Sequence, residues 1–296
     1  FTAQAAAEFF RQTLATDLCG TPSPVAAEDY MKGWVKGGQL ARFFGLRILP
    51  AWMDVTDDPT RAEWRGRPLV GGYAVDREGV PAETVRLVRD GRLRGFLMSR
   101  TPSESITVSN GHGRIVAGDM ARAGVSNLIV EARGGLPEAA LKKRLLALAA
   151  QDGLPYAIVV RHLDEPSTGE GGPRRVNVGT GGEDAEETPS RWAISPAFDV
   201  VRVDLKSGVE TRLRGAIFGP IGVAELRTIA AAGDDPTVYN FILSPETQDF
   251  AQGYADDALA SVVAPALLFA QLEIRPMGKK RKPLPLLPHP LAGGGS

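Results

Sequence analysis

Apolar residues recur at helical spacing over residues 3–18. Ala3, Ala6, Phe9, Phe10, Thr13, Leu14 and Leu18 share one face, and Gly20 and Pro22 end the run. Residues 20–70 are mixed: Trp34, Phe43, Phe44, Leu46, Ile48 and Trp52 are interrupted by Gly33, Gly37, Gly38, Gly45 and Pro50, which predicts short elements joined by turns. Over residues 83–99 the pattern switches to alternation. Two alternating runs flank Asp90-Gly91, a pair suited to the positive φ angles of a tight hairpin turn. Further strands are predicted at Ser126–Ala132, Ala157–Leu163, Phe198–Leu205 and Glu210–Leu213, the last two joined by Ser207-Gly208. Others follow at Pro236–Leu243, Ser261–Val263 and Leu268–Arg275. Helices are expected at Pro137–Gln151, with a Leu141, Leu145, Leu148 stripe, and at Val223–Ala232, stopped by Gly233.

Several hairpins with few helices predict an α+β fold, with a mainly antiparallel sheet or barrel-like core and a few flanking helices. Residues 164–191 are poor in large apolar residues and read as a surface loop. After Met277 the sequence becomes PLPLLPHPLAGGGS, an extended tail. The expected organisation is one domain over 1–276 and a Pro/Gly-rich tail over 277–296.

Charge narrows the function classes. Lys plus Arg number 34 against 35 Asp plus Glu, so no long-range field favours nucleic acid or an anionic membrane. The one basic run, Lys279-Lys280-Arg281-Lys282, falls in the tail and reads as solvated. No stretch of about 18 apolar residues marks a membrane span. Cys19 is the one cysteine, so no internal disulfide marks an oxidising compartment, and a cytoplasmic location is expected. The first residue is Phe1, not Met, which reads as a fragment or a processed product.

Catalytic signatures are sparse. His112, His162 and His289 are the three histidines, none four residues from another, and no helical HExxH pair exists. His162 at a strand end reads as packed or capping. His112 stands in Gly111-His112-Gly113-Arg114, a loop expected to be flexible. No G-x-S-x-G elbow is present, and Cys19 reads as a structural thiol. The Gly-rich stretches at 169–172 and 179–182 lack the strand-and-helix setting of a phosphate loop. Asp234-Asp235 and Asp256-Asp257 read as turns or caps, since adjacent side chains on a strand diverge.

The order of segments adds a resemblance. Asp76 to Pro81 (DREGVP), the Asp90-Gly91 hairpin and Leu93-Arg94-Gly95-Phe96-Leu97 resemble a block of the TldD/PmbA family, also called modulators of DNA gyrase. Gly111-His112-Gly113-Arg114 and Arg122-Ala123-Gly124-Val125-Ser126-Asn127-Leu128 resemble the Gly-Asn/His-Gly-Arg loop and the Arg-x-x-Asn strand opening that follow it. Ser261 to Phe269 and Leu272-Glu273-Ile274 resemble the family's close, so the likeness spans about residues 3–276.

The resemblance implies the C-terminal half of a two-domain protein. It also implies a metal site, a HExxxH helix near the start of this region with a later cysteine, its glutamate serving as general base. Here that helix reads Ala5-Ala6-Ala7-Glu8-Phe9-Phe10-Arg11-Gln12, and no cysteine lies in Asp234 to Tyr254. The implied role is a PmbA-like, metal-free subunit that helps enclose unfolded peptides. No catalytic or metal-binding residue is assigned in this chain, and zinc is expected in a HExxxH-bearing partner. That partner would be a TldD-like subunit in a dimer, or an N-terminal domain of the same protein. An exposed strand edge could take the peptide by strand addition. His112, Arg114 and Asn127 are the candidate substrate contacts. Two alternatives stand beside this reading: a binding or scaffold protein without a protease role, and a hydrolase whose metal site is replaced by Glu8, Asp17 and His112.

Overall fold

The computed structural model describes residues 1–20, 40–101, 106–117, 120–164, 192, 194–213, 215–243 and 258–276. The tail, His289, Asp256-Asp257, the Gly-rich stretches and all but the first residue of 164–191 lie outside them.

The chain opens with helix α1 (Ala3–Gln12), whose first turn is capped by the Thr2 hydroxyl accepting from Ala5 N at 3.4 Å. The predicted helix over 3–18 is broken once. At Thr13 the hydroxyl donates to Phe9 O at 2.8 Å, and α2 (Leu14–Asp17) resumes beyond it. Burial is wider than the predicted face. Ala5, Ala6, Ala7, Phe9 and Phe10 have no exposed surface, so small alanines let strands approach α1 all round. Phe9 meets Phe1, Phe10 and Phe269 edge-on at centroid distances of 5.5–5.6 Å.

The strands, in chain order, are β1 (Met53–Asp57), β2 (Glu63–Trp64), β3 (Arg67–Pro68), β4 (Val85–Arg89), β5 (Arg92–Leu93), β6 (Gly113–Ala117), β7 (Met120–Ala123) and β8 (Asn127–Ala132). Helix α3 (Glu138–Gln151) precedes β9 (Tyr156–Leu163), β10 (Ala197–Asp204), β11 (Glu210–Leu213) and β12 (Ala216–Phe218). One helical turn, α4 (Val223–Leu226), leads to β13 (Ile229–Ala232), β14 (Thr237–Leu243), β15 (Ala258–Ala264), β16 (Leu267–Phe269) and β17 (Ile274–Pro276).

A six-stranded sheet runs β14-β15-β8-β1-β4-β5, antiparallel except where β15 meets β8. A second sheet centres on β10, with β9 on one side and β11 and β12 on the other. It is prolonged by main chain. Thr2 N donates to Val160 O at 2.9 Å, while Phe1 and Leu267 exchange hydrogen bonds, bringing in β16 and its partner β13. The ribbons 229–243 and 258–269 thus pass from one sheet to the other around α1, which packs on β9, β14 and β15. The arrangement is barrel-like, but among the described residues the sheets do not close. Helix α3 lays Leu141, Leu145 and Leu148 over Ala231 and Leu268, as its stripe predicts.

The hairpin at β4 and β5 turns on Asp90 (φ 51°) and Gly91 (φ 71°). A side chain at Gly91 would collide with Leu49 O, so both conformation and space require glycine. Two expectations are corrected. The helix at Val223–Ala232 stops at Leu226, because Ile229–Ala232 is taken up in pairing with β16 and Leu136. The single strand Leu268–Arg275 is two strands, β16 and β17, which serve different neighbours.

Candidate functional site

Three loop segments meet on one side of the six-stranded sheet, and each is fixed by a polar side chain saturated by backbone. Asp76 Oδ1 accepts from Glu78 N and Val80 N, both at 2.9 Å, and closes the DREGVP turn. Its Oδ2 accepts from Gly113 N at 2.9 Å, tying that turn to β6. The Asn110 side chain accepts from Met98 N at 2.8 Å and donates to Phe96 O at 2.9 Å, which fixes its orientation.

His112, expected in a flexible loop, has no exposed surface. Its Nε2 lies 3.1 Å from Asp57 Oδ1, and its Nδ1 lies 3.0 Å from both Asn110 O and Asn110 Oδ1. Both ring nitrogens therefore lie within hydrogen-bond reach of oxygen atoms. Asp57 is also fully buried and accepts from Ser126 N and from the Ser126 hydroxyl. A buried carboxylate survives in the apolar interior only with this many donors around it.

Arg114 reaches beneath the loop after β3. Its guanidinium donates to Gly71 O at 3.3 Å, Val125 O at 2.8 Å and Leu259 O at 2.8 Å, and stacks 4.5 Å from the centre of the Tyr73 ring. Burial holds its pKa below the ordinary arginine value. The Tyr73 hydroxyl donates to Gly111 O at 2.8 Å, and burial raises its pKa despite the opposing pull of Arg114. Asn127, at the start of β8, accepts from Gly71 N at 3.0 Å and donates to Asp58 O and Arg61 O at 2.9 Å.

The three residues singled out in the sequence therefore converge on one network around residues 71–73. Their polar atoms are engaged by this chain. Above the network opens a cleft of about 260 Å³, lined by Tyr73, Val75, Asp76, Arg77, Arg114 and Leu259 among others. Val75 and Leu259 are each 52% exposed on its rim, and Leu259 is the cross-strand neighbour of Ile242 on β14, also 52% exposed. No described strand pairs with the outer edge of β14. Tyr73, Asp57 and Asp76 carry the site's architecture, and no sequence motif marks the first two.

The other candidates are separately held. Glu8 Oε1 accepts from Gln4 at 2.9 Å and lies 3.1 Å from His162 Nδ1, while its Oε2 accepts from Leu163 N at 2.6 Å. His162, half-buried, stacks on Phe198 at 5.5 Å, matching its reading as a packed residue. Asp17 accepts from the Trp192 indole. Glu8, Asp17 and His112 are thus each tied to a different partner. Cys19 donates to Ala15 O at 3.6 Å, and burial, with Asp57 and Asp17 adding to it, pushes its thiol up to about 12. Such a thiol stays protonated and is a poor nucleophile. Asp234 and Asp235 are exposed next to Arg65, as a turn predicts.

A zinc ion needs three or four His, Cys or carboxylate groups at about 2.0–2.3 Å. Among the described residues no three such side chains come together, and the Glu8 oxygens are already bonded. Among the described residues this donor set does not fit the metal. Among them, too, no helix is long and apolar enough to cross a membrane.

Residues 34–151 match the family described as PmbA/TldA metallopeptidase C-terminal domain. Two solved structures share the fold. TldE from Thermococcus kodakarensis is 17% identical, with a TM-score of 0.52 over 92% of this chain and 48% of its own. A protein described as a modulator of a DNA gyrase from Thermotoga maritima is 14% identical, with a TM-score of 0.52 over 93% of this chain and 48% of its own. The chain thus spans about half the length of the structures it matches. No curated protein sequence matches it.

Proposed function

We propose that the chain is the C-terminal region of a TldD/PmbA-type protein and acts as the metal-free subunit, or half, of such a metallopeptidase assembly, a reading supported by the match over residues 34–151 and the shared fold. Zinc and its general base would come from a TldD-like partner that carries HExxxH. This chain would help enclose an unfolded peptide and hold it for cutting.

The observation that carries the reading is the state of α1, the helix where the resemblance places the metal ligands. Glu8 is bonded to Gln4, His162 and Leu163, and alanine and phenylalanine surround it. The cleft supports the peptide half of the reading. Its apolar rim at Val75 and Leu259 suits side chains of mixed sequence, and Arg114 lines it, with His112 and Asn127 in the adjoining network.

The test is metal analysis with a peptidase assay. The purified chain is expected to hold no stoichiometric zinc and to leave a labelled unfolded peptide intact. Addition of a HExxxH-bearing family member is expected to start cleavage, and Leu259→Asp should then raise KM with kcat little changed. One tightly bound zinc per chain, or cleavage by the chain alone, would overturn the proposal.

A further inference from the structure

The far side of the six-stranded sheet carries a feature that the peptide cleft does not use. In the β4–β5 hairpin Arg89 stands directly opposite Arg92, and Arg92 in turn stands opposite Arg47. Three arginines therefore share one row across adjacent strands, at the roughly 4.5–5.5 Å spacing of antiparallel neighbours. Arg86 and Arg94 extend the cluster, since Arg94 N donates to Leu87 O next to Arg86. All five are exposed.

Like charges directly opposite one another destabilise a sheet, so such a row calls for a counter-charge. Within the described chain there is little. Asp90 lies 3.9 Å from Arg89 but is bonded to Arg133 at 2.7 Å. Arg92 donates to Gly45 O at 3.2 Å, and no described carboxylate pairs with Arg47, Arg86, Arg92 or Arg94. Arg86, Arg89, Asp90 and Arg94 line a broad groove of about 500 Å³. Next to β5, where Leu93 bonds Gly45 and Leu46, Phe44 and Leu46 are 54% and 49% exposed, Phe44 stacking on Phe96 at 6.1 Å.

We infer that this arginine face docks an acidic segment of another protein chain, one in which carboxylates recur three or four residues apart among apolar residues. Arginine forks take carboxylates two-pronged, and carboxylates three or four residues apart on a helix lie about 5–6 Å apart, close to the spacing of the row. The exposed Phe44 and Leu46 supply the apolar contact. A peptide can in addition set a backbone N–H against Asp90, a donor that a run of phosphates lacks.

The test is fluorescence anisotropy of the whole chain with three labelled probes: a peptide of repeated Glu-Glu-Leu-Gly units, the same peptide with Lys for Glu, and an oligo-dT strand. The acidic peptide is expected to bind, the lysine peptide not, and binding should weaken as salt rises. The triple variant Arg86→Gln, Arg89→Gln, Arg94→Gln should lose about tenfold in affinity, the order that three exposed ion pairs supply. Leu46→Ser should weaken binding too. These are surface positions, and an unchanged melting temperature confirms that each variant is folded. The inference fails if the acidic peptide does not bind, if the folded triple variant binds it equally well, or if oligo-dT binds more tightly than the peptide.

Discussion

Buried polar residues set the shape of the candidate site, and Asp57 is its centre. It alone joins His112, from the loop before β6, to Ser126, at the start of β8. Removing this shared hydrogen-bond partner leaves buried polar groups of His112 and Ser126 unpaired, at a cost of about 1–3 kcal/mol each. Asp57→Ala is therefore expected to lower the unfolding free energy by that order in a urea titration. Ser126→Ala, which removes one hydroxyl from a carboxylate still served by its other donors, should cost only about 1–2 kcal/mol. Equal losses for the two variants would show that Asp57 is not the hub. His112 and Arg114 could be marked from sequence in the Gly111-His112-Gly113-Arg114 loop, and Asn127 through the resemblance of residues 122–128 to a family segment. What they bond to could not be read, since Asp57 and Gly71 lie 55 and 43 residues from His112 and Arg114. Tyr73 gave no signal at all, because a lone tyrosine among glycines has no periodic context.

Among the elements, those made by neighbours in sequence were legible and those made by distant pairing were not. The Asp90-Gly91 hairpin and α3 follow from turn chemistry and from a leucine stripe. β1 was missed because its inward row, Met53, Val55 and Asp57, ends in a carboxylate, which breaks apolar alternation although Asp57 is buried as deeply as the other two. The stretch Ile229–Ala232 reads as helix by propensity and is strand by tertiary pairing, a case where context overrides a weak local preference. The hairpin gives the sharpest check at this scale. Gly91→Ala places a side chain at φ 71° and against Leu49 O, and is expected to cost about 1–3 kcal/mol. Substituting Gly208, which also has positive φ but no atom within 4 Å of an added side chain, should cost less. Circular-dichroism melting of the two variants side by side reads the difference, and a milder effect at Gly91 would contradict the close approach.

For the molecule as a whole, α1 is the element that makes two sheets into one body. Its Gln12 side chain donates to Asp164 O at 3.3 Å and accepts from Ser195 N at 2.7 Å, both on the β9–β10 side. One residue earlier, Arg11 bonds the Tyr239 hydroxyl at 3.0 Å and lies 4.6 Å from the centre of the Phe241 ring, on β14 of the other sheet. Phe9 fills the space between. A helix buried on every side could be recognised as a helix from sequence, but its central position could not, because alanine gives the same pattern on a surface as in a tight interior. If α1 couples the sheets, damage to it must be felt by both. Phe9→Ala is expected to cost about 3–5 kcal/mol through lost packing and the cavity left behind. The loss should appear as one cooperative transition. Two single-tryptophan backgrounds report it: one retains Trp64, packed against the six-stranded sheet, and the other Trp192, bonded to Asp17 beside the second. Coincident midpoints, shifted together by Phe9→Ala, are expected. Separate midpoints, or a shift confined to one tryptophan, would mean that the sheets unfold independently and that α1 belongs to one of them.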